Sequence, residues 1–303
     1  VPAGFARQEI TRPDDRADGG AAALFERFLA VPGDPRPEPV TLLVVAHPDD
    51  EVIGAGARLL RLRSAKFLHV TDGAPRDGVD AREAGAASWQ DYARKRRREL
   101  RSALSLVGIG GERLMSLEIA DQEASRDLGA LACRVGEVLA RVLPEVVLTH
   151  AYEGGHPDHD ATAFAVHAAC ALLARAAPPP LIVEFPAYHA DPAAEEGIVR
   201  GRFLDAHGAR VLALSAWERS VKRALLRCFV SQRRVLEPFP VEVESFRLAP
   251  RYDFAAPPHP GPLWYEHFDW GVTGAEWRRR AAGALKMLES FSCAATGVDT
   301  RSR

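Results

Sequence analysis

The sequence predicts an α/β fold: a Rossmann-like, doubly wound, mainly parallel sheet flanked by helices, with a C-terminal elaboration. Three observations carry that prediction. From Val40 onward, short apolar runs alternate with stretches of helical length, the pattern of strands joined by crossover helices. Two of those runs, about a hundred residues apart, end abruptly in His/Asp clusters, AHPDDE at 46–51 and GGHPDHD at 154–160. The chain has 303 residues, enough for a large core, and shows neither an internal repeat nor a clean domain boundary.

Taken in order, strands are expected at 41–46, 66–71, 113–117, 146–149 and 181–185. Helices are expected between them at 52–63, 88–107, 128–142 and 161–174. The Gly- and Asp-rich stretch 72–88 reads as a loop at the carboxyl edge of the second strand. After Tyr188 the alternation loosens, with helices expected at 216–232 and 275–290. Between these two lie a Pro-rich stretch and the aromatic residues Trp264, Tyr265, Phe268 and Trp270. Residues 1–38 form an N-terminal extension with a short amphipathic helix at 21–31. Residues 39–293 form one domain, of which 186–293 is the substrate-side elaboration, and the polar residues 294–303 form a flexible tail.

Composition excludes several functions. Lys and Arg number 39 against 41 Asp and Glu, a balance with no footprint for nucleic acid. The basic run 94–98 fits a solvated helix face. No apolar run reaches the ~18 residues a membrane span requires, and the start of the chain lacks the layout of a secretory signal, so a cytoplasmic location is expected. Cys133, Cys170, Cys228 and Cys293 are widely spaced with no C-x-x-C pair, as buried free thiols would be.

The chemistry is expected at the two clusters. Adjacent carboxylates at the end of a buried strand repel one another and lose solvation, a cost that binding or catalysis would explain. In a doubly wound sheet with strand order 3-2-1-4-5, the order reverses between the first and fourth strands, and ligands bind at that reversal. Those are the two strands that end in the clusters. Proline favours the first helical position, so His47 and His156 are expected as N-caps, with Asp50 and His159 both at the third helical position. His47, Asp50 and His159 then make a two-His, one-carboxylate set with open positions, the layout of a catalytic metal site.

These motifs make the chain resemble the PIG-L/LmbE-like family of zinc-dependent N-acetylglucosaminyl deacetylases, over roughly residues 40–190 and more weakly to about 240. The resemblance implies a metal-dependent hydrolase that removes the acetyl group from an N-acetylated amino sugar or its conjugate. It implies one Zn2+ per chain, although such a donor set also accepts Fe2+ or Co2+. His47, Asp50 and His159 match the metal ligands. Asp49 matches the general base, His156 the oxyanion stabiliser or acid, and Asp158 the carboxylate that tunes it; beside Asp158, His156 is expected to stay protonated near neutral pH. Arg96, followed by Glu99, matches an arginine that reaches substrate, and Asp121 an acid that binds sugar hydroxyls. Asp72 and Gly73 match a loop beside the site, with Asp72 available to orient a ligand.

Some family members carry a tyrosine where this chain has Gly154, and Tyr152 and Glu153 are the nearby candidates to assist substrate. Tyr188, Trp264, Tyr265, Trp270 and His189 are candidates to wall an acceptor pocket. The expected partner is a small amino sugar or glycoconjugate, and the sequence leaves oligomeric state and the particular sugar open. Other readings are an amidase of the same fold acting on a non-sugar amide, a non-haem iron oxygenase, and a metal-binding or regulatory homologue without catalysis.

Overall fold

The computed structural model describes residues 13–30, 34–191 and 197–295. Helix α1 (Pro13–Leu29) precedes β1 (Thr41–Val45), α2 (Asp50–Ala55), β2 (Lys66–Pro75), α3 (Val79–Glu83) and α4 (Trp89–Ser105). Next come β3 (Leu114–Asp121), α5 (Leu128–Val142), β4 (Val146–His150), α6 (Pro157–Leu173) and β5 (Leu181–Phe185). The C-terminal part adds β6 (Tyr188–Ala190), β7 (Ile198–Arg200), β8 (Arg210–Ala213), α7 (Ala216–Arg227), α8 (Arg233–Leu236), β9 (Val243–Leu248) and α9 (Gly274–Ala295).

Seven strands form one sheet in the order β3-β2-β1-β4-β5-β9-β8, with the first five parallel and β9 and β8 antiparallel. The expected order 3-2-1-4-5 is its parallel part, and β1 and β4 lie side by side at the reversal. Both are buried along their whole length, as befits central parallel strands covered on two faces. Alternate residues of β1 enter opposite cores: Leu42 and Val44 pack with α5, α6 and α9, Leu43 and Val45 with α4 and α7.

Three expected boundaries are corrected. The helix expected at 52–63 stops at Ala55 and resumes as a 3-10 turn at Arg58–Leu60. The reason lies in long-range capture of its backbone: Lys222 Nζ donates to Ile53 O at 2.9 Å, and Glu244 accepts from the N–H groups of Ala57 and Arg58 at 2.7 and 3.1 Å. The loop expected at 72–88 instead extends β2 to Pro75, because irregular pairing with β3 persists to Asp121, and then forms α3. The elaboration 186–293 also contributes two strands to the main sheet. The N-terminal helix begins earlier than expected, at Pro13, while Val31 and residues 1–12 lie outside the described residues. Of the expected tail, 296–303 also lie outside them. No helix among the described residues is long and apolar enough to cross a membrane.

Candidate active site

The carboxyl ends of β1 and β4 bring the two clusters into one buried site. His47 Nδ1 stands 3.2 Å from His159 Nε2 and 3.4 Å from one Asp50 oxygen, and the other Asp50 oxygen stands 3.3 Å from His159 Nε2. Three ligands of a tetrahedral ion at 2.0–2.1 Å lie about 3.4 Å apart. The donor set therefore fits a divalent cation in its chemistry, and one ligand atom from each residue lies within 4.8 Å of the other two.

The surrounding groups hold these donors. With Nδ1 facing the other donors, His47 Nε2 faces Asp121 Oδ1 at 3.1 Å, the carboxylate–histidine contact that fixes tautomer and ring orientation in metal sites. Burial opposes a charge on His47, but Asp121, Asp158 and Asp50 outweigh it and hold the imidazole well above its ordinary pKa. Burial likewise works against the Asp50 carboxylate, yet His159 keeps it well below the usual range. Asp49 points elsewhere: its Oδ2 accepts from Arg96 at 2.9 Å, while a second Arg96 nitrogen donates to Gly73 O at 2.7 Å. Burial pushes Asp49 up to about 7, against the pull of that guanidinium. Gly73 is required here: its φ is +65°, and a Cβ would stand 2.8 Å from Pro48 Cδ and 2.9 Å from Arg96 Cζ.

His156 caps α6 with Pro157 at the first helical position, as the spacing predicts, and its Nδ1 accepts from Asp158 N–H at 3.1 Å. The first cluster departs from that prediction. Asp49 takes the N-cap position and α2 begins at Asp50, so His47 is not a cap and Asp50 is not third in the helix. The expected protonated His156 is also corrected. The Asp158 carboxylate is engaged by the N–H groups of Gln122 and Ala124 at 2.6 and 3.0 Å and faces His47 at 3.5 Å. Left with a backbone partner, His156 is pulled well below its ordinary pKa by burial and by His47, against Asp121 3.7 Å from its Nε2.

Other expectations divide. Arg96 and Asp121 belong to the site but are committed to Asp49 and His47. Asp72 accepts from Ala74 N–H and Arg76 and touches no ligand. Tyr152 is buried among Tyr252, Phe254 and Trp277, and its hydroxyl donates to Ala256 O at 2.9 Å, so it is a core residue rather than a substrate contact. Glu153 is buried too, accepting from Leu204 N–H at 2.6 Å, and so braces the following segment instead of facing substrate. Tyr188 packs on His159 with ring centroids 5.3 Å apart, and Trp270 on His156 at 4.7 Å. Tyr265 is buried in the core, and His189 Nδ1 pairs with Ala190 O.

Sequence reasoning missed His150, which stacks on His159 at 4.1 Å with 7° between planes and accepts from Ala46 N–H at Nε2. Burial and His159 lower it to about 4, so it is neutral. The signal was available, since the topology that joins the ends of β1 and β4 applies equally to the residue after Thr149.

Comparison with known proteins places the two clusters inside a matched region. The family model described as PIG-L, GlcNAc-PI de-N-acetylase, matches residues 42–170. The chain is 30% identical over 150 residues to 1D-myo-inositol 2-acetamido-2-deoxy-alpha-D-glucopyranoside deacetylase 2 of Catenulispora acidiphila, covering 40% of this chain and 48% of that protein. It is 31% identical over 148 residues to the corresponding deacetylase of Kineococcus radiotolerans, covering 39% of this chain and 41% of that one. The chain thus spans less than half the length of either relative. Among solved structures, a deacetylase of teicoplanin biosynthesis superposes with a TM-score of 0.55 at 20% identity, covering 71% of this chain and 99% of that chain. The N,N'-diacetylchitobiose deacetylase of Pyrococcus horikoshii does so with 0.51 at 19% identity, covering 80% and 95%. These two likenesses show the fold. Residues 42–170, with both clusters on one side of the β1–β4 junction, are the part of the chain that matches the PIG-L family model.

Proposed function

We propose that this chain is a metal-dependent hydrolase that removes the acetyl group from an N-acetylated amino sugar or its conjugate. The observation that carries the proposal is the group of donors from His47, Asp50 and His159 with a further carboxylate, Asp49, held by Arg96 in the same turn. These three residues would hold Zn2+, or Fe2+ or Co2+ in its place. A divalent ion held there would polarise an amide carbonyl and acidify water. The relatives named above, whose names specify acetamido-sugar deacetylases, support the substrate class.

The chain's own residues supply the rest. Asp49, raised by burial towards neutrality, accepts the proton of the attacking water, and Arg96 holds it in position. His156, with Nδ1 accepting from backbone, carries its proton on Nε2 and donates a hydrogen bond to the oxygen that becomes negative. A neutral imidazole is poorly suited to protonate the leaving nitrogen. Asp49, having gained a proton, can pass it to the leaving nitrogen, so the reaction balances: water adds across the C–N bond, giving acetic acid and the amine, which then exchange a proton to leave as acetate and ammonium.

The test is Asp49→Asn, assayed for amine release on N-acetylglucosaminides together with metal content. Turnover should fall by about 10³ to 10⁴ with one metal per chain retained. A variant that keeps more than a few per cent of the rate would overturn the role of Asp49, and failure of wild-type protein to bind any divalent metal would overturn the site.

A further inference from the structure

The segment 263–274 stands at the rim of the site and is tied at both ends. Glu266 accepts from the N–H groups of Leu263 and Gly274, both at 2.8 Å, closing the loop on itself. Trp264 N–H donates to Gly154 O at 2.9 Å, fixing the loop to the second cluster. From this loop Trp270 reaches His156. Phe268 stacks on Trp270 with centroids 4.6 Å apart and 13° between planes, and Trp264 meets Phe268 edge-on at 5.7 Å.

The row therefore begins against a histidine of the site, and its middle ring, Phe268, is 41% exposed. Core packing explains Tyr265 of the same loop, which is fully buried, and holds Trp270, which is half-buried; Phe268 belongs to neither core cluster. A single exposed aromatic calls for no explanation. A stacked row on a clamped loop, continuous with the reacting groups, offers π faces to a ring that extends out of the site. Exposed Asp269, between Phe268 and Trp270, disfavours an anionic occupant.

We infer that Trp270, Phe268 and Trp264 form a stacking subsite for the group joined to the amino sugar, a flat ring with an apolar face, so that conjugates are preferred over simple glycosides. The inference rests on the amino-sugar reading above. A second pyranose ring and an aryl aglycone share this chemistry, and the experiment separates them.

The metal-loaded protein and its Phe268→Ala, Phe268→Leu and Phe268→Tyr variants are compared on methyl and phenyl N-acetylglucosaminides and on N,N'-diacetylchitobiose. The ratio of kcat/KM for the phenyl glycoside or the disaccharide to that for the methyl glycoside should fall about tenfold with Ala and Leu and be kept with Tyr, because the ring, not its apolar volume, makes the contact. A fall for the phenyl glycoside alone identifies an aryl occupant, and for the disaccharide alone a second sugar. An unchanged ratio in all variants overturns the subsite. If no substrate releases amine, the catalytic reading fails and the subsite is judged by tryptophan fluorescence. Saturable quenching by the phenyl glycoside or the disaccharide but not the methyl glycoside, weakened about tenfold in Phe268→Ala, upholds it; absence of such quenching overturns it.

Discussion

Both β1 and β4 run out into His-Pro-Asp, yet the proline stays outside the helix after β1, where α2 begins at Asp50, and is the first helical residue after β4, where His156 caps α6. The difference begins upstream. After β4 the chain detours through Gly154, with φ of +72°, and Gly155, where a Cβ would fall 1.9 Å from Tyr188 O; His156 then arrives extended and caps the helix. After β1 there is no spacer. His47 follows Ala46 directly, the N–H groups of Asp49 and Asp50 turn back onto His47 O, and Asp50 Oδ2 takes the His47 N–H at 2.7 Å. The tight turn presents two donors and a carboxylate held by Arg96, whereas the wide one presents His159 and locks His156 by its Nδ1. Like spelling therefore gives unlike work.

The sharpest way to break this contrast is His156→Ala. If His156 donates to the oxyanion, turnover should drop about 10² to 10³ with metal content unchanged, measured by single-turnover amine release and elemental analysis. If metal is lost along with rate, His156 is a ligand and the two clusters act alike.

How far the contrast was legible differs from residue to residue. The parallel strands and their order could be read because β1 and β4 are unbroken apolar runs and because the reversal point is a property of topology. The cap at His156 could be read because Pro157 marks the first helical position, although the same rule failed at His47. The turn at His47 could not: whether a helix starts at Pro48 or Asp50 depends on where Asp50 sends its carboxylate, which faces His150 at the end of β4 and His159 in α6, about a hundred residues away. Tyr152 and Glu153 were misread for a related reason. Their proximity in sequence to His156 says nothing of side-chain direction, which is set by Ala256 and Leu204, about 104 and 51 residues away. The strands β8 and β9 had no motif, since an antiparallel edge added late in the chain leaves only short, half-polar runs.

A smaller effect sharpens the account of the tight turn. Asp121 acts on His47 through Nε2, so Asp121→Asn should weaken metal binding about 10- to 100-fold, measured by competition with a chelator. An unchanged affinity would mean that the His47 ring is fixed by the turn alone.

The smallest effect concerns the additional acid beside each cluster. Glu51 pairs with His69 at 3.1 Å, whereas Glu153 has the Leu204 N–H. Burial raises Glu153 to about 8, outweighing that hydrogen bond and Arg247. Unfolded, it would titrate near the ordinary value of 4.5. Between these values the folded chain holds a proton that the unfolded chain has released, so stability from this group is complete below about 4.5 and is lost as the pH rises towards 8. Glu153→Gln keeps an acceptor for Leu204 and cannot ionise. In metal-free protein its Tm should therefore decline less steeply than wild type from pH 4.5 to 8, though not become flat, because burial raises Asp160 to about 8 in the same direction. Parallel Tm curves would show that Glu153 is ionised in the fold, and with that the distinction between a paired acid at the first cluster and a protonated one at the second would fall.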